Sequence, residues 1–441
     1  MKNIKKILIS LILIGLISST SVFADPDPGL LDSATQEARV SAFMPTSSHR
    51  MAMGSAGLGL AGFYDSYLYN PANISKDGFK FVLPSITLTV NNVYNLMEPD
   101  SGENVVELAQ QVGDSDEAAI DLATLFLKSI PFGYGEILTL DANTGFKTRN
   151  FGLDLAVQEK LRSYNGGSDY TTASAISETS VALTAAIGFN VPLVSDYITL
   201  DLGASAAFNY KMYSLAIDAN EILNLFNHMD EGADLILENI PFASGYAVPV
   251  TVGANLNLPL GFTISGVGRN FNGNYNMVAY SNLKSLINND ETIVAFIGED
   301  TFDDEESEVT ISDEFSVEVP WTLDLGVAFA PSTPLDGVLK AQLALDFIDC
   351  YSLIEDAIKE TKTATQLKSD ALESINIGAQ VRLLNLLDVR GGFSQGYKSI
   401  GLGLDLLVLH LDASYYWKEY GEVLGQSPSD ALSVKFSLIS R

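Results

Sequence analysis

The chain has 441 residues, 47% hydrophobic and only 18% charged, with 25 basic against 55 acidic side chains and a formal net charge of −30. So acidic a chain repels phosphate, which excludes nucleic acid as a partner. A mean hydropathy of +0.17, with fewer charges than the roughly 25% of ordinary soluble domains, implies that the acids are segregated in loops away from a large apolar surface.

Residues 1–24 read as a secretory signal peptide. Lys2, Lys5 and Lys6 precede the apolar run Ile7 to Ile17, and Val22-Phe23-Ala24 supplies a small-residue cleavage site. That run falls short of the roughly 20 residues a helix needs to cross a bilayer, and no later apolar stretch reaches that length. Membrane insertion of the mature chain must therefore be by strands. The single cysteine, Cys350, can close no intramolecular disulfide.

Within the next segment, 25–78, residues 51–73 neither alternate as a strand nor sustain a long helix. Gly57-Leu58-Gly59-Leu60-Ala61-Gly62 matches the spacing of a dinucleotide-binding turn. That chemistry needs a strand before the turn and a helix after it. No strand leads in and Asn70-Pro71 cuts off the helix, so no nucleotide site is expected.

From residue 80 onward, alternation with a period of two dominates. Between 178 and 191, Val181, Leu183, Ala185, Ile187, Phe189 and Val191 share one face, and Ser180, Thr184, Gly188 and Asn190 contribute to the other. Similar runs cover 80–91, 136–146, 151–162, 197–213, 246–258, 260–271, 321–330, 338–348, 374–384, 386–395, 398–407, 409–417 and 431–439, with weaker ones at 274–281 and 307–319. Most are long enough to cross the hydrocarbon at a tilt, which takes about 9–11 residues. Sixteen such runs behind an export signal are the sequence pattern of a transmembrane antiparallel β-barrel. Short connections at Asn385-Leu386-Leu387-Asp388, Gly396-Tyr397 and Asn272-Gly273-Asn274 are expected on one rim. The acidic insertions 103–129, 219–239 and 353–373, with helical spacing, and the run Glu299 to Glu308 belong to the other. Tyr415, Tyr416, Trp417, Tyr420 and Trp321 are candidates for an aromatic girdle.

Catalytic chemistry finds little support. Gly392-Phe393-Ser394-Gln395-Gly396 matches a nucleophile elbow, with His410 as its one candidate base. An elbow, however, joins a strand to a helix, and here the alternation runs on through Phe393 into another strand. A turn serine is the preferred reading. His49, His228 and His410 are not at ligand spacing with one another or with Cys350, so neither a metal site nor a cofactor is expected.

The order Arg50-Met51-Ala52-Met53-Gly54, glycine-rich turns, then Asp65, Tyr69, Asn70, Pro71 and Ala72 ahead of the first long strand resembles the mature N-terminus of the FadL family of outer-membrane transporters. The resemblance implies a barrel of 14 strands. It also implies that 25–78 folds within the barrel as a hatch, with Asn70, Pro71 and Ala72 deep in the lumen and Gly54, Gly57, Gly59 and Gly62 at its turns. Residues 389–417 resemble the last strands of the PorV-like and TraF-like relatives. The expectation is thus an all-β transmembrane barrel, residues 79–441, with an N-terminal plug and short helices in its loops, set in outer-membrane lipid. It would take up a long-chain fatty acid or another hydrophobic small molecule, with Arg50, Lys211 or Arg269 compensating the acids for a carboxylate ligand. The alternative is a non-transporting platform that docks a protein partner through its loop helices; an outer-membrane lipase using Ser394 trails both.

Overall fold

The computed structural model describes residues 42–76, 78–97, 116–130, 133–167, 169–195, 197–227, 240–297, 314–359, 362–421 and 423–440. The signal segment, the first part of the 25–78 segment, His228 and the acidic run 299–308 lie outside them. The alternating runs form one antiparallel ring of fourteen strands: β1 Lys80–Asn91, β2 Gly133–Lys147, β3 Phe151–Asn165, β4 Ala173–Val194, β5 Ile198–Ser214, β6 Phe242–Ala247 continuing as Val250–Asn257, β7 Phe262–Phe271 continuing as Tyr275–Tyr280, β8 Phe315–Val317 continuing as Thr322–Phe329, β9 Leu339–Phe347, β10 Ile375–Leu383, β11 Leu387–Ser394, β12 Tyr397–Leu406, β13 Leu409–Glu419 and β14 Pro428–Ser440. Strand β1 closes the ring: Ile86 lies opposite Ala142 of β2 on one side and Phe436 of β14 on the other. Closure matters because lipid offers backbone groups no alternative hydrogen-bond partner.

The two runs in excess of fourteen are the far ends of β7 and β8. Three neighbouring strands are interrupted at one level. Pro249 lies in the break of β6 and Pro320 in the break of β8, each lacking the N–H a ladder needs. Strand β7 breaks at 272–274, where Asn270 and Asn272 take φ of 57° and 62°. Asn272-Gly273-Asn274 is therefore a kink inside a strand and not the rim turn expected from sequence. The Gln395-Gly396 turn also departs from expectation: it lies on the rim of the long insertions, whereas 384–386 and 407–408 lie on the opposite, short-turn rim.

The polarity is that of a membrane barrel. Leu183, Ile187 and Phe189 are 46%, 48% and 58% exposed on the outer face, while Asp154, Asp201 and Lys211 on the inner face are at most 1% exposed. Tyr415 and Trp417 pack together on the outer face with centroids 4.7 Å apart. Tyr416 and Tyr420 correct the girdle expectation, because both turn inward and Tyr420 donates to Glu136 at 3.1 Å.

The described parts of the insertions fold as helices, Asp116–Ser129, Ala219–Asn227, Cys350–Lys359 and Ala364–Glu373; residues 103–115 and 228–239 lie outside the described residues. Ala123, Leu127 and Ile222 from the first two join Leu161, Ala175 and Phe242 in one apolar cluster. The three strand residues share the register of the lipid-facing positions, so these helices form a collar around the outside of the upper wall. Two further helices, Leu283–Asn289 and Glu291–Ile297, join it through Leu283, Leu286 and Ile293. The sequence reading missed them, although Asn282 carries a cap signal and accepts from the Ser285 amide at 2.7 Å.

Candidate functional site

The N-terminal segment, residues 42–76, meets the inner wall on nearly opposite sides of the ring. On one side it packs against glycines of β4, β5 and β6. A Cβ on Gly203 would stand 2.3 Å from the Pro71 carbonyl carbon, one on Gly188 2.4 Å from the Ile74 side chain, and one on Gly253 2.1 Å from Asn70 Oδ1. Across the lumen, a Cβ on Gly378 would lie 2.4 Å from Met53 O, and one on Gly392 2.2 Å from Gly54 N. A strand normally avoids glycine, and its presence at inward positions marks a close backbone approach.

Each hatch candidate has a defined place. Asn70 donates to Leu58 O at 2.9 Å and to Asn255 Oδ1 of β6 at 2.7 Å, and its Oδ1 accepts from the Ala72 amide at 3.1 Å. Ala72 is fully buried at the wall, where Pro71 sits on Gly203. Gly54, at φ 60°, turns the chain where it abuts Phe393. The amides of Gly57 and Leu58 donate to Asp346 Oδ2 of β9 at 2.6 and 3.0 Å. Gly59 abuts Ser265 of β7, and Gly62 accepts from Lys80 Nζ at 2.7 Å.

Asp65 is the electrostatic hub of this segment. Ser47 donates to it at 2.9 Å, Lys435 of β14 pairs with it at 3.1 Å, and His49 Nε2 lies 3.5 Å away. Burial alone would raise its carboxyl, but His49, Lys435 and the Ser47 hydroxyl outweigh burial and hold it below the usual range. Burial lowers His49 to about 4 against the pull of Asp65, so the ring is neutral at pH 7. It stacks on Phe63 at 4.1 Å.

Towards the insertion rim packed apolar side chains fill the barrel interior. Ile176, Tyr213, Ala243, Tyr275, Met277 and Val317 form an inward-facing cluster. Beside it lies a buried ionic group in which Glu178 pairs with Arg162 at 2.5 Å and Lys211 at 3.3 Å, flanked by Glu136 and the more exposed Lys418 at 3.2 Å. Of the three candidate cations, Lys211 is held in this group, Arg269 pairs with Asp324 at 2.5 Å, and Arg50 lies 3.9 Å over the Tyr69 ring. No spacing rule could have found this group, since its members come from five elements.

A small cavity of about 50 Å³ lies between the N-terminal segment and the interrupted wall, lined by Phe43, Met44, Leu68, Pro249, Arg269 and Asn270 among others. Ser394 and His410 stand at opposite ends of their strands. Ser394 donates to Asn376 Oδ1 at 2.7 Å and His410 Nδ1 lies 3.4 Å from Asp405. Apart as they are, they form no Ser-His pair.

The class these features define is a 14-stranded outer-membrane-type β-barrel enclosing part of its own N-terminal segment. No protein-family model matches the chain, and no curated protein matches it by sequence. Among solved structures it is similar to the CymD monoaromatic hydrocarbon channel (12% identity, 90% of this chain and 97% of that one, TM-score 0.42). It is also similar to a Pseudomonas aeruginosa FadL homologue (9%, 90% and 98%, TM-score 0.40) and to the P. putida toluene transporter TodX (9%, 90% and 97%, TM-score 0.39). These likenesses concern architecture alone, and the strand count stands on the ladder pairings.

Proposed function

We propose that the protein is an outer-membrane uptake channel for hydrophobic small molecules, with long-chain fatty acids as the substrate class to test first. The observation that carries this reading is the apolar layer of Ile176, Tyr213, Tyr275 and Met277 inside the lumen. A water-filled pore has a polar interior, whereas an apolar lining with a few polar groups suits a hydrophobic solute. The Glu178, Arg162 and Lys211 group beside that layer supplies polar anchors for a headgroup.

In this mechanism the solute enters past the helical collar and settles on the apolar layer. Residues 25–78 act as a hatch, and Asn70, Pro71 and Ala72 hold it against the glycines of β4 to β6. A shift of the hatch joins the layer to the cavity beside Pro249 and Asn270. The interrupted ladder of β6, β7 and β8 then offers a lateral way out, because fewer backbone hydrogen bonds must open there. Residues 1–24 direct export and are removed.

The second reading, a non-transporting platform, draws on the helical collar, which presents a broad surface at the mouth. Uptake of a fluorescent long-chain fatty acid by a deletion strain separates the two. A channel restores uptake on complementation, while a platform leaves uptake unchanged and its loss removes a partner protein from the surface.

A further inference from the structure

Helix Cys350–Lys359 has an unusual surface for an insertion at the mouth of a barrel. Tyr351, Ile354 and Ile358 are 39%, 56% and 77% exposed, and their spacing of three and four residues sets them on one face. Ser352, Glu355, Asp356 and Lys359 share the adjacent arc. Glu355 and Lys359 pair with each other, and Asp356 pairs with Lys362 at 3.1 Å. Leu353, between the arcs, is partly buried. An apolar stripe left uncovered beside a charged arc is the pattern of a helix lying in a membrane interface.

The position of the helix identifies what covers the stripe. The helix begins three residues after β9, whose lipid-facing residues Leu343, Leu345 and Phe347 remain 52%, 36% and 41% exposed to the end of the strand. Tyr351 packs at a tilt against Trp321 with ring centroids 4.3 Å apart, and Trp321 stacks on Phe271 at 5.7 Å. Both partners stand on the outer face of the wall, 38% and 39% exposed. Tyr351, Ile354 and Ile358 thus continue the lipid-facing band past its aromatic border without a polar gap. Aromatic rings at such a border sit at headgroup depth.

We infer that helix Cys350–Lys359 is an interfacial helix that lies on the outer leaflet, with Tyr351, Ile354 and Ile358 immersed in lipid and Glu355, Asp356 and Lys359 facing water. The partner of this surface is the lipid itself. Because Trp321 and Phe271 flank the interrupted stretch of β7 and β8, the helix is seated beside that break, where the outer leaflet contacts both.

The lone cysteine makes the test direct. In a Cys350→Ser background, nitroxide labels are placed at Ile354→Cys, Ile358→Cys and Asp356→Cys, with Leu343→Cys as the lipid reference and Asp336→Cys as the water reference. The full-length protein is reconstituted in phosphatidylcholine vesicles, and a heat-dependent shift on gels confirms that each labelled barrel is closed. The labels at 354 and 358 are expected to collide several-fold more with oxygen than with a water-soluble nickel chelate, as at 343, while the label at 356 follows 336. Nickel collision at 354 and 358 equal to that at 336 would overturn the inference. So would shielding from both reagents, since that means a protein partner or a second copy covers the stripe.

Discussion

Gly392 of β11 and Gly54 of the N-terminal segment lie backbone against backbone: a Cβ on Gly392 would stand 2.2 Å from the Gly54 amide nitrogen, and one on Gly54 2.4 Å from the Phe393 nitrogen. Neither position tolerates a side chain unless the segment moves off the wall. Gly203 and Gly253 repeat the arrangement across the lumen, against Pro71 and Asn70. The absence of side chains at chosen inward positions, together with a few buried polar contacts, holds the segment.

Gly392→Val is therefore expected to displace the segment while leaving the ring closed. Overpacking of this kind costs about 1–3 kcal/mol. Limited proteolysis checks it: cleavage near residues 50–60 should accelerate in the variant, with the heat-dependent gel shift of the barrel retained. Gly391→Val, on the neighbouring outward position, serves as the control and should cleave at the wild-type rate.

The Asp65–Lys435 pair, 3.1 Å apart with both side chains less than a tenth exposed, makes a second test. Removing one partner of a buried pair leaves the other unpaired and costs about 3–5 kcal/mol. Lys435→Met is expected to lower the urea midpoint of the reconstituted protein strongly. The double variant Asp65→Asn with Lys435→Met should recover part of the loss.

His49 sets a pH dependence whose sign follows from its lowered value of about 4. The unfolded chain binds a proton below about 6.5, where the folded chain still does not. The stability contributed by neutral His49 is therefore complete above that pH and falls as the pH drops from 6.5 towards 4, by on the order of 3 kcal/mol. Urea midpoints measured at pH 7.5 and 4.5 should converge more for His49→Gln than for the wild type.

Ser394→Ala should remove one hydrogen bond, to Asn376, and cost about 1 kcal/mol. No hydrolysis of a lipid ester should change, and a fluorogenic ester assay on the purified barrel checks this.

Much of the fold was legible because a barrel strand exposes its outer side chains to lipid and its inner ones to a polar lumen, so the alternation in β4 and β5 states its own orientation. The same reading failed where alternation is not the governing constraint. Residues 272–274 carry the Asn-Gly chemistry of a hairpin, yet they kink β7, because β6 and β8 flank both halves and keep the chain in the sheet. Gln395-Gly396 is a tight turn in either reading. Only counting passes across the ring assigns it to the insertion rim. The contacts of Asn70, Pro71 and Ala72 were not legible, since nothing local in an Asn-Pro-Ala predicts glycines waiting on β4, β5 and β6. The Glu136, Arg162, Glu178, Lys211 and Lys418 group was invisible for a similar reason: strand register, far apart in sequence, assembles it.

The most direct measurement is passage through the cavity beside the interrupted wall. Ala207 faces that cavity from β5, and Ala207→Trp would fill it without touching the hatch motif. Cells lacking the protein are complemented with the wild type or with Ala207→Trp, matched for folded barrel in the membrane, and given a fluorescent long-chain fatty acid. The wild type should restore uptake and the tryptophan variant should reduce it severalfold. Equal uptake by both, or none with the wild type, would contradict a hydrophobic route through this lumen.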